Sequence, residues 1–215
     1  MHNPATTFGS TRVLHGGMLA LGALLLAAVV GLSIAIGDDG GSLTRNMIRL
    51  SLAWYFVSLS LMLLLRPADW SAKTDQGALA RWCWTWALAC FLVHMLLAFH
   101  FVHHWSHAHA VERTRQISGL GEGIFFSYLF TLLWLADAIY WWCRPVRYAA
   151  RQPWIGRALH GFMLFIVFNG TVVYESGMIR WAGCAMFAGW GLLAWRSWRR
   201  RKPWEPATES FEGPA

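Results

Sequence analysis

Long stretches of apolar residues restrict the fold of this chain more than any other feature. A helix needs about 20 apolar residues to cross the hydrocarbon core of a bilayer. Six such stretches occur, at 13–36, 47–65, 81–105, 120–143, 154–174 and 177–198. Helices are expected because backbone groups in lipid must be hydrogen-bonded within their own segment. The sequence therefore predicts an all-α fold, a polytopic membrane bundle of about six transmembrane helices.

The amino-acid composition agrees with a membrane protein. Only 13% of the residues are charged, whereas a soluble domain carries roughly a quarter. We expect residues 1–202 to form the transmembrane domain and 203–215 a short disordered tail. Small residues are expected where helices pack closely; they are Gly16, Gly17, Gly22, Gly183 and Gly189. Ser33-Ile34-Ala35 also resembles a signal-peptide cleavage site, but the first apolar run is long for one, which favours an uncleaved helix.

The basic residues predict the orientation. Of the 18 Lys and Arg, thirteen lie on one side of the predicted topology. The other five are Arg45, Arg49, Arg113, Arg115 and Arg180. Since cytoplasmic loops carry the excess of Lys and Arg, both termini are expected to be cytoplasmic. The net charge of +7 is thus explained by orientation, and no nucleic-acid partner is predicted.

The most specific motif is a histidine cluster at the outer end of the third predicted span. Six of the nine histidines lie between residues 94 and 109. On one continuous helix, four of them would fall within an arc of roughly 100°. Histidines one turn apart can hold one metal ion, and acidic residues from other helices could join them. The predicted metal ligands are His100, His103, His104, His107, Glu122 and Glu175.

Three interpretations of this cluster stay open. A mixed set of imidazole and carboxylate ligands suits Zn, Fe or Mn, and Cu accepts imidazoles alone. The cluster is equally typical of an interfacial histidine belt, or of a surface that responds to pH. His100-Phe101-Val102-His103-His104 also resembles one histidine box of membrane desaturases and hydroxylases. Those enzymes use two further boxes, which this chain lacks.

A second set of polar residues lies near the predicted cytoplasmic side. Asp137 and His160 are expected at a common depth on neighbouring helices, where carboxylate and imidazole could form a hydrogen bond. His15 enters the first span at nearly that depth, so His15 and His160 could hold a haem b between them. Asn169 is a further candidate buried polar residue. His94 lies near the middle of the bilayer with no evident partner.

The stretches Trp105-Ser106-His107-Ala108, 128–137 and 168–173 resemble a pattern in uncharacterised bacterial inner-membrane proteins. The resemblance implies a multi-pass protein of that membrane and no activity. Motifs of nucleotide binding and hydrolysis are absent from the sequence, which leaves enzyme and non-enzyme both open. Three functions are therefore predicted as alternatives: a metal-binding membrane protein, an accessory or assembly subunit that binds other membrane proteins, and a small transporter with Asp137, His160 and Asn169 along its path.

Overall fold

A computed structural model describes residues 4–36, 40–71 and 74–200, and within these ranges the chain is helical with no strand. The tail 203–215 lies outside the described residues. The α-helices are α1 (Pro4–Ala35), α2 (Gly41–Leu64), α3 (Asp75–Leu97), α4 (His107–Ser118), α5 (Ile124–Cys143), α6 (Pro145–Ala149), α7 (Pro153–Phe168) and α8 (Gly177–Arg200). Two π-turns, Ala98–Val102 and Asn169–Val173, continue α3 and α7. Single 3-10 turns occur at Asp69–Ser71 and Gly121–Gly123.

Five helical segments are long and apolar enough to cross a membrane: Val13–Ala35, Gly41–Leu64, Asp75–Val102, Gly121–Cys143 and Pro153–Val173. They correspond to the first five predicted spans. The sixth predicted span is the helix α8, which has 24 residues but is less apolar than the other five. The all-helical class is thus confirmed for the described residues, and five of the helical segments could span a membrane. A sixth crossing, and the side on which the termini lie, stay predictions.

The connection between the third and fourth spans differs from the prediction. The third span was expected to run as one helix to Trp105, but regular α-helix ends at Leu97. A separate polar helix, α4, then follows, which the sequence analysis did not predict. Ser106 begins α4 by accepting a hydrogen bond from the backbone N–H of His109, as N-terminal capping serines do.

The core is built from α2 and α3, which make the most extensive helix contact, and from large aromatic side chains of α5. Tyr55 stacks on Trp84 with ring centroids 5.5 Å apart, and Trp84 lies 5.0 Å from Trp134. Ser51 and Ser58 donate hydrogen bonds from α2 to backbone carbonyls of α3. Such bonds between helices are typical of membrane proteins, where apolar burial alone does not drive helices together.

Glycines allow close packing at two of the five predicted positions. A Cβ at Gly22 would overlap the indole of Trp86, which donates a hydrogen bond to the carbonyl of Met18. A Cβ at Gly183 would lie 2.9 Å from the carbonyl oxygen of Thr171, so α8 approaches the second π-turn closely there. Gly16 and Gly17 meet nothing within 4 Å, and Gly189 would only touch Phe56.

Candidate functional site

The histidine-rich segment does not form the continuous helical stripe that its spacing predicts. After the π-turn Ala98–Val102, His104 and Trp105 adopt left-handed conformations, with φ of 49° and 60°. Few residues other than glycine adopt this conformation without strain. Because the helix is broken between His100 and His104, these two rings lack the one-turn spacing on which the predicted metal site depended.

Two of the predicted ligands have separate partners. His100 accepts a hydrogen bond through Nδ1 from the Trp105 indole, at 3.2 Å. The Nδ1 atom of His107 lies 3.0 Å from the Tyr128 hydroxyl, and the two rings are stacked. Each imidazole is therefore engaged in an aromatic contact of its own.

The other two predicted ligands lie beside a histidine that the sequence analysis did not select. The His109 ring is 5.6 Å from His103 and 6.3 Å from His104, between ring centroids. Burial lowers the pKa of His103, and the neighbouring charges of His109, Arg113 and His104 lower that pKa further. The cluster therefore favours a neutral His103 ring.

The predicted carboxylate ligands lie apart from this cluster. Glu122 is exposed in the 3-10 turn before α5, and Glu175 lines a cavity elsewhere in the bundle. Among the residues that the structure describes, no group of three or more His, Cys, Asp or Glu side chains is placed to hold a metal ion. Zn, Fe, Cu or Mn binding at the histidine cluster stays a prediction without geometric support.

Asp137 is buried near the opposite end of the bundle, and several donors share its carboxylate. Oδ2 accepts hydrogen bonds from the Trp84 indole at 3.1 Å and the Tyr148 hydroxyl at 3.0 Å. Oδ1 pairs with the Arg151 guanidinium at 2.7 Å. That guanidinium also lies over the Tyr148 ring, 3.8 Å from its centroid. Burial, followed by the charge of Asp137, raises the pKa of Tyr148. The arrangement is a closed ion-pair network that anchors α6 and the start of α7.

His160 makes no hydrogen bond with Asp137. Both of its ring nitrogens are buried without a partner, and the ring contacts Trp84 edge-on. Arg151 pairs with the carboxylate instead, because a cation compensates a buried charge better than a neutral ring does. The predicted hydrogen-bonded pair of Asp137 and His160 is thus absent.

The structure does not bring His15 and His160 to one site. His15 accepts a hydrogen bond from Trp82, whereas His160 contacts Trp84. Residues two positions apart on a helix point to nearly opposite sides, so α3 lies between the two imidazoles. A haem held by both rings has no geometric support. Asn169 is only half-buried and donates to the carbonyl of Phe165 in its own helix.

The best-formed candidate site is a cavity of about 420 Å³ between α2, α3, α5, α7 and α8. It lies at the end of the bundle where α2 and α5 begin, which also carries α4, and this end is called the histidine end below. The volume is within the range of small-molecule pockets. The apolar wall comes from all five helical segments and includes Ile48, Leu52, Phe91, Phe130, Ile166 and Ile179.

Several polar groups face or border the cavity. The Nδ1 atom of His94 lies 2.9 Å from the carbonyl oxygen of Thr44. Because a carbonyl only accepts, Nδ1 carries the proton and Nε2 of the neutral ring is an acceptor. Deeper in the site, the Tyr55 hydroxyl and the Trp134 indole N–H are buried without a hydrogen-bond partner. Buried polar groups without partners are rare and costly.

Two arginines and one glutamate complete the lining. Arg45 and Arg49 are exposed and lie one turn apart on α2, where they donate to Ser42 and Asn46. Neither is paired with a carboxylate within the described part of the chain. Glu175 is half-buried on the same lining. The charged rim thus has more positive than negative groups.

Sequence reasoning did not select Tyr55, Trp134, Arg45 or Arg49 as site residues. One signal was available for α2: its lining residues 45, 48, 49, 51, 52 and 55 follow the spacing of a single helix face. Two arginines one turn apart on an otherwise apolar face are unusual in a membrane helix. The contributions of the other helices depend on tertiary packing.

Comparison with known proteins finds no protein-family model that matches the chain, and no curated protein or solved structure that is detectably similar to it.

Proposed function

We propose that this chain is an integral membrane protein of a bacterial inner membrane that binds an amphipathic anion in the cavity at its histidine end. The observation that carries the proposal is the combination, in one cavity, of an apolar wall, polar groups without partners and a cationic rim. Ligand sites typically pair an apolar lining with a few polar groups that orient the ligand.

The two arginines at the rim of the cavity favour a ligand with a negatively charged group. Arg45 and Arg49 repel each other, since like charges one turn apart destabilise a helix. A phosphate or carboxylate between them would relieve that repulsion and accept charge-assisted hydrogen bonds. Arginine suits this role because its planar guanidinium matches both oxyanions.

The interior of the cavity fits a ligand with an apolar chain and an oxygen atom that accepts hydrogen bonds. Tyr55 and Trp134 each offer a donor, and His94 offers an acceptor in its neutral form. Both donors are closed off from solvent, so a ligand would reach them only after side chains of the cavity wall move. Binding would then satisfy groups that have no hydrogen-bond partner within the protein.

The rim is tested with octyl phosphate, and with octan-1-ol as the neutral compound of equal chain length. Binding is measured by calorimetry on protein held in a neutral amphipol. We expect Arg49→Gln to weaken octyl phosphate binding about tenfold, the effect of losing one hydrogen bond to a charged group. The matched control is Arg113→Gln, since Arg113 is exposed on α4 and should leave binding unchanged. Equal affinity for the two compounds, or an Arg49→Gln variant that binds like the wild type, would contradict the proposal.

The interior is tested with Tyr55→Phe, which removes one hydroxyl and keeps the ring packing. Because that hydroxyl has no hydrogen-bond partner within the protein, its removal should leave the thermal unfolding temperature unchanged or raised. The affinity for octyl phosphate should fall several-fold. Tyr140→Phe, at a ring that is 37% exposed, serves as the control. Undiminished affinity in Tyr55→Phe would show that no ligand reaches the cavity floor.

A further inference from the structure

A groove between α2 and α8 opens beside the cavity, and the two share part of their lining. The groove has a volume of about 790 Å³. The shared residues are Arg49, Leu52, Thr171 and Ile179. Arg49 therefore borders both the cavity and a groove on the outer surface of the bundle.

The groove is apolar below Arg49. Its walls are formed by Ala53 and Phe56 on α2, and by Met178, Ala182 and Met186 on α8. The helix α8 contacts the bundle near the groove at three residues. Gly183 packs against Thr171, the Phe187 ring lies 5.2 Å from the Phe168 ring, and Trp190 donates to the carbonyl of Phe56 at 3.4 Å. Small side chains between and beside these contacts leave the groove open.

The groove extends over about two thirds of the depth of one leaflet of a bilayer. From Arg49 to Phe56 the chain advances by about 10 Å at 1.5 Å per residue. Phe56 lies near the middle of α2, which is long and apolar enough to cross a bilayer, and one leaflet contributes about 15 Å of hydrocarbon. An acyl chain that enters at the arginines would thus extend along the groove toward the bilayer centre.

We infer that the ligand is an anionic phospholipid whose headgroup lies between Arg45 and Arg49 and whose acyl chain lies in the groove between α2 and α8. The inference rests on the proposed function, since it names the class of amphipathic anion that the same cavity binds. Charge complementarity selects an anionic headgroup over a zwitterionic one, and the apolar walls at the depth of the hydrocarbon select a lipid over a water-soluble anion.

The experiment compares dioleoyl phosphatidylglycerol with dioleoyl phosphatidylcholine, which has the same chains and a zwitterionic headgroup. Binding to the purified full chain is followed by native mass spectrometry, with octyl phosphate as the ligand that is short enough for the cavity alone. Wild-type protein should bind phosphatidylglycerol at least tenfold more tightly than phosphatidylcholine. Equal binding of the two lipids would overturn the inference.

The groove is then filled by Ala182→Phe and, as a second variant, Ala185→Phe; both positions are exposed, so neither change overpacks the core. Ala136→Phe, at an exposed position on α5, is the control. Groove filling should weaken phosphatidylglycerol binding at least tenfold and leave octyl phosphate binding intact. If phosphatidylglycerol binding is also intact, the lipid inference fails while the proposed function stands. If wild-type protein binds neither octyl phosphate nor phosphatidylglycerol, the proposed function fails as well.

Discussion

Asp137 illustrates what decides the partner of a buried residue. Its place in the fourth apolar stretch, 120–143, says only that a carboxylate lies within a predicted membrane helix. The turn at Arg144 and the short helix α6 bring Arg151 back to it, and the side chains of the pair are 14% and 4% exposed. A cation at 2.7 Å compensates the buried charge, so His160 is left without a hydrogen bond.

We predict that Asp137→Asn strongly destabilises the protein. The change leaves the partly buried Arg151 without its counter-ion and weakens the bonds from Trp84 and Tyr148. The expected loss is about 3 kcal/mol in the free energy of unfolding, as for other broken buried pairs. The measurement is thermal or denaturant unfolding in detergent.

The matched control is Glu112→Gln, which breaks the exposed pair of Glu112 with Arg115 on α4. That pair is screened by solvent, so its loss should cost less than about 1 kcal/mol. Equal effects of the two substitutions would show that the network around Asp137 does not stabilise the fold.

Among the secondary-structure elements, the connection from α3 to α4 is the one that the sequence pattern predicted wrongly. Apolar and histidine residues continue in helical spacing to Trp105, yet the chain leaves the α-helix at Leu97. The π-turn, the two left-handed residues and the Ser106 cap redirect the chain into α4. As a result His103, His104 and His109 come together and His100 does not join them.

Acid should loosen this connection. The pKa of His103 is held below the usual value near 6.5, so the folded state favours the neutral ring. A group whose pKa is lowered by folding contributes stability that is present above the unfolded pKa and lost as the pH falls below it. Hydrogen exchange of residues 98–118 should therefore speed up between about pH 7 and pH 5.

His103→Asn serves as the comparison for that experiment, because it removes the titrating ring. The variant should show a smaller pH dependence in the same segment, whereas the exchange of α2 should be unaffected in both proteins. The same pH dependence with and without the ring would assign the effect to other groups.

For the whole molecule, the number of membrane crossings decides the orientation of every site. With α8 as a sixth crossing, both termini share one side, as the distribution of Lys and Arg predicts. With five crossings, the termini lie on opposite sides. The cavity and the groove that flanks α8 keep their geometry in either case. The leaflet in which they lie depends on the number of crossings.

We predict that both termini are cytoplasmic and that α4 is outside. Green fluorescent protein fused at either end should fluoresce in a bacterial host, and alkaline phosphatase inserted at Gly119, in the turn after α4, should be active. Fluorescence at one terminus only would indicate five crossings. Inactive phosphatase at Gly119, with both termini fluorescent, would contradict the predicted path of α3.

The helical class and the positions of five apolar spans could be predicted from the sequence, because hydropathy and backbone hydrogen bonding act within each segment. Tertiary structure alone decided the partner of Asp137, the separation of His15 from His160, and the cavity that joins Arg49, Tyr55 and His94. Those features depend on how five helices rotate and pack against one another, and on one break in a helix. Neither is encoded in the spacing along a single segment.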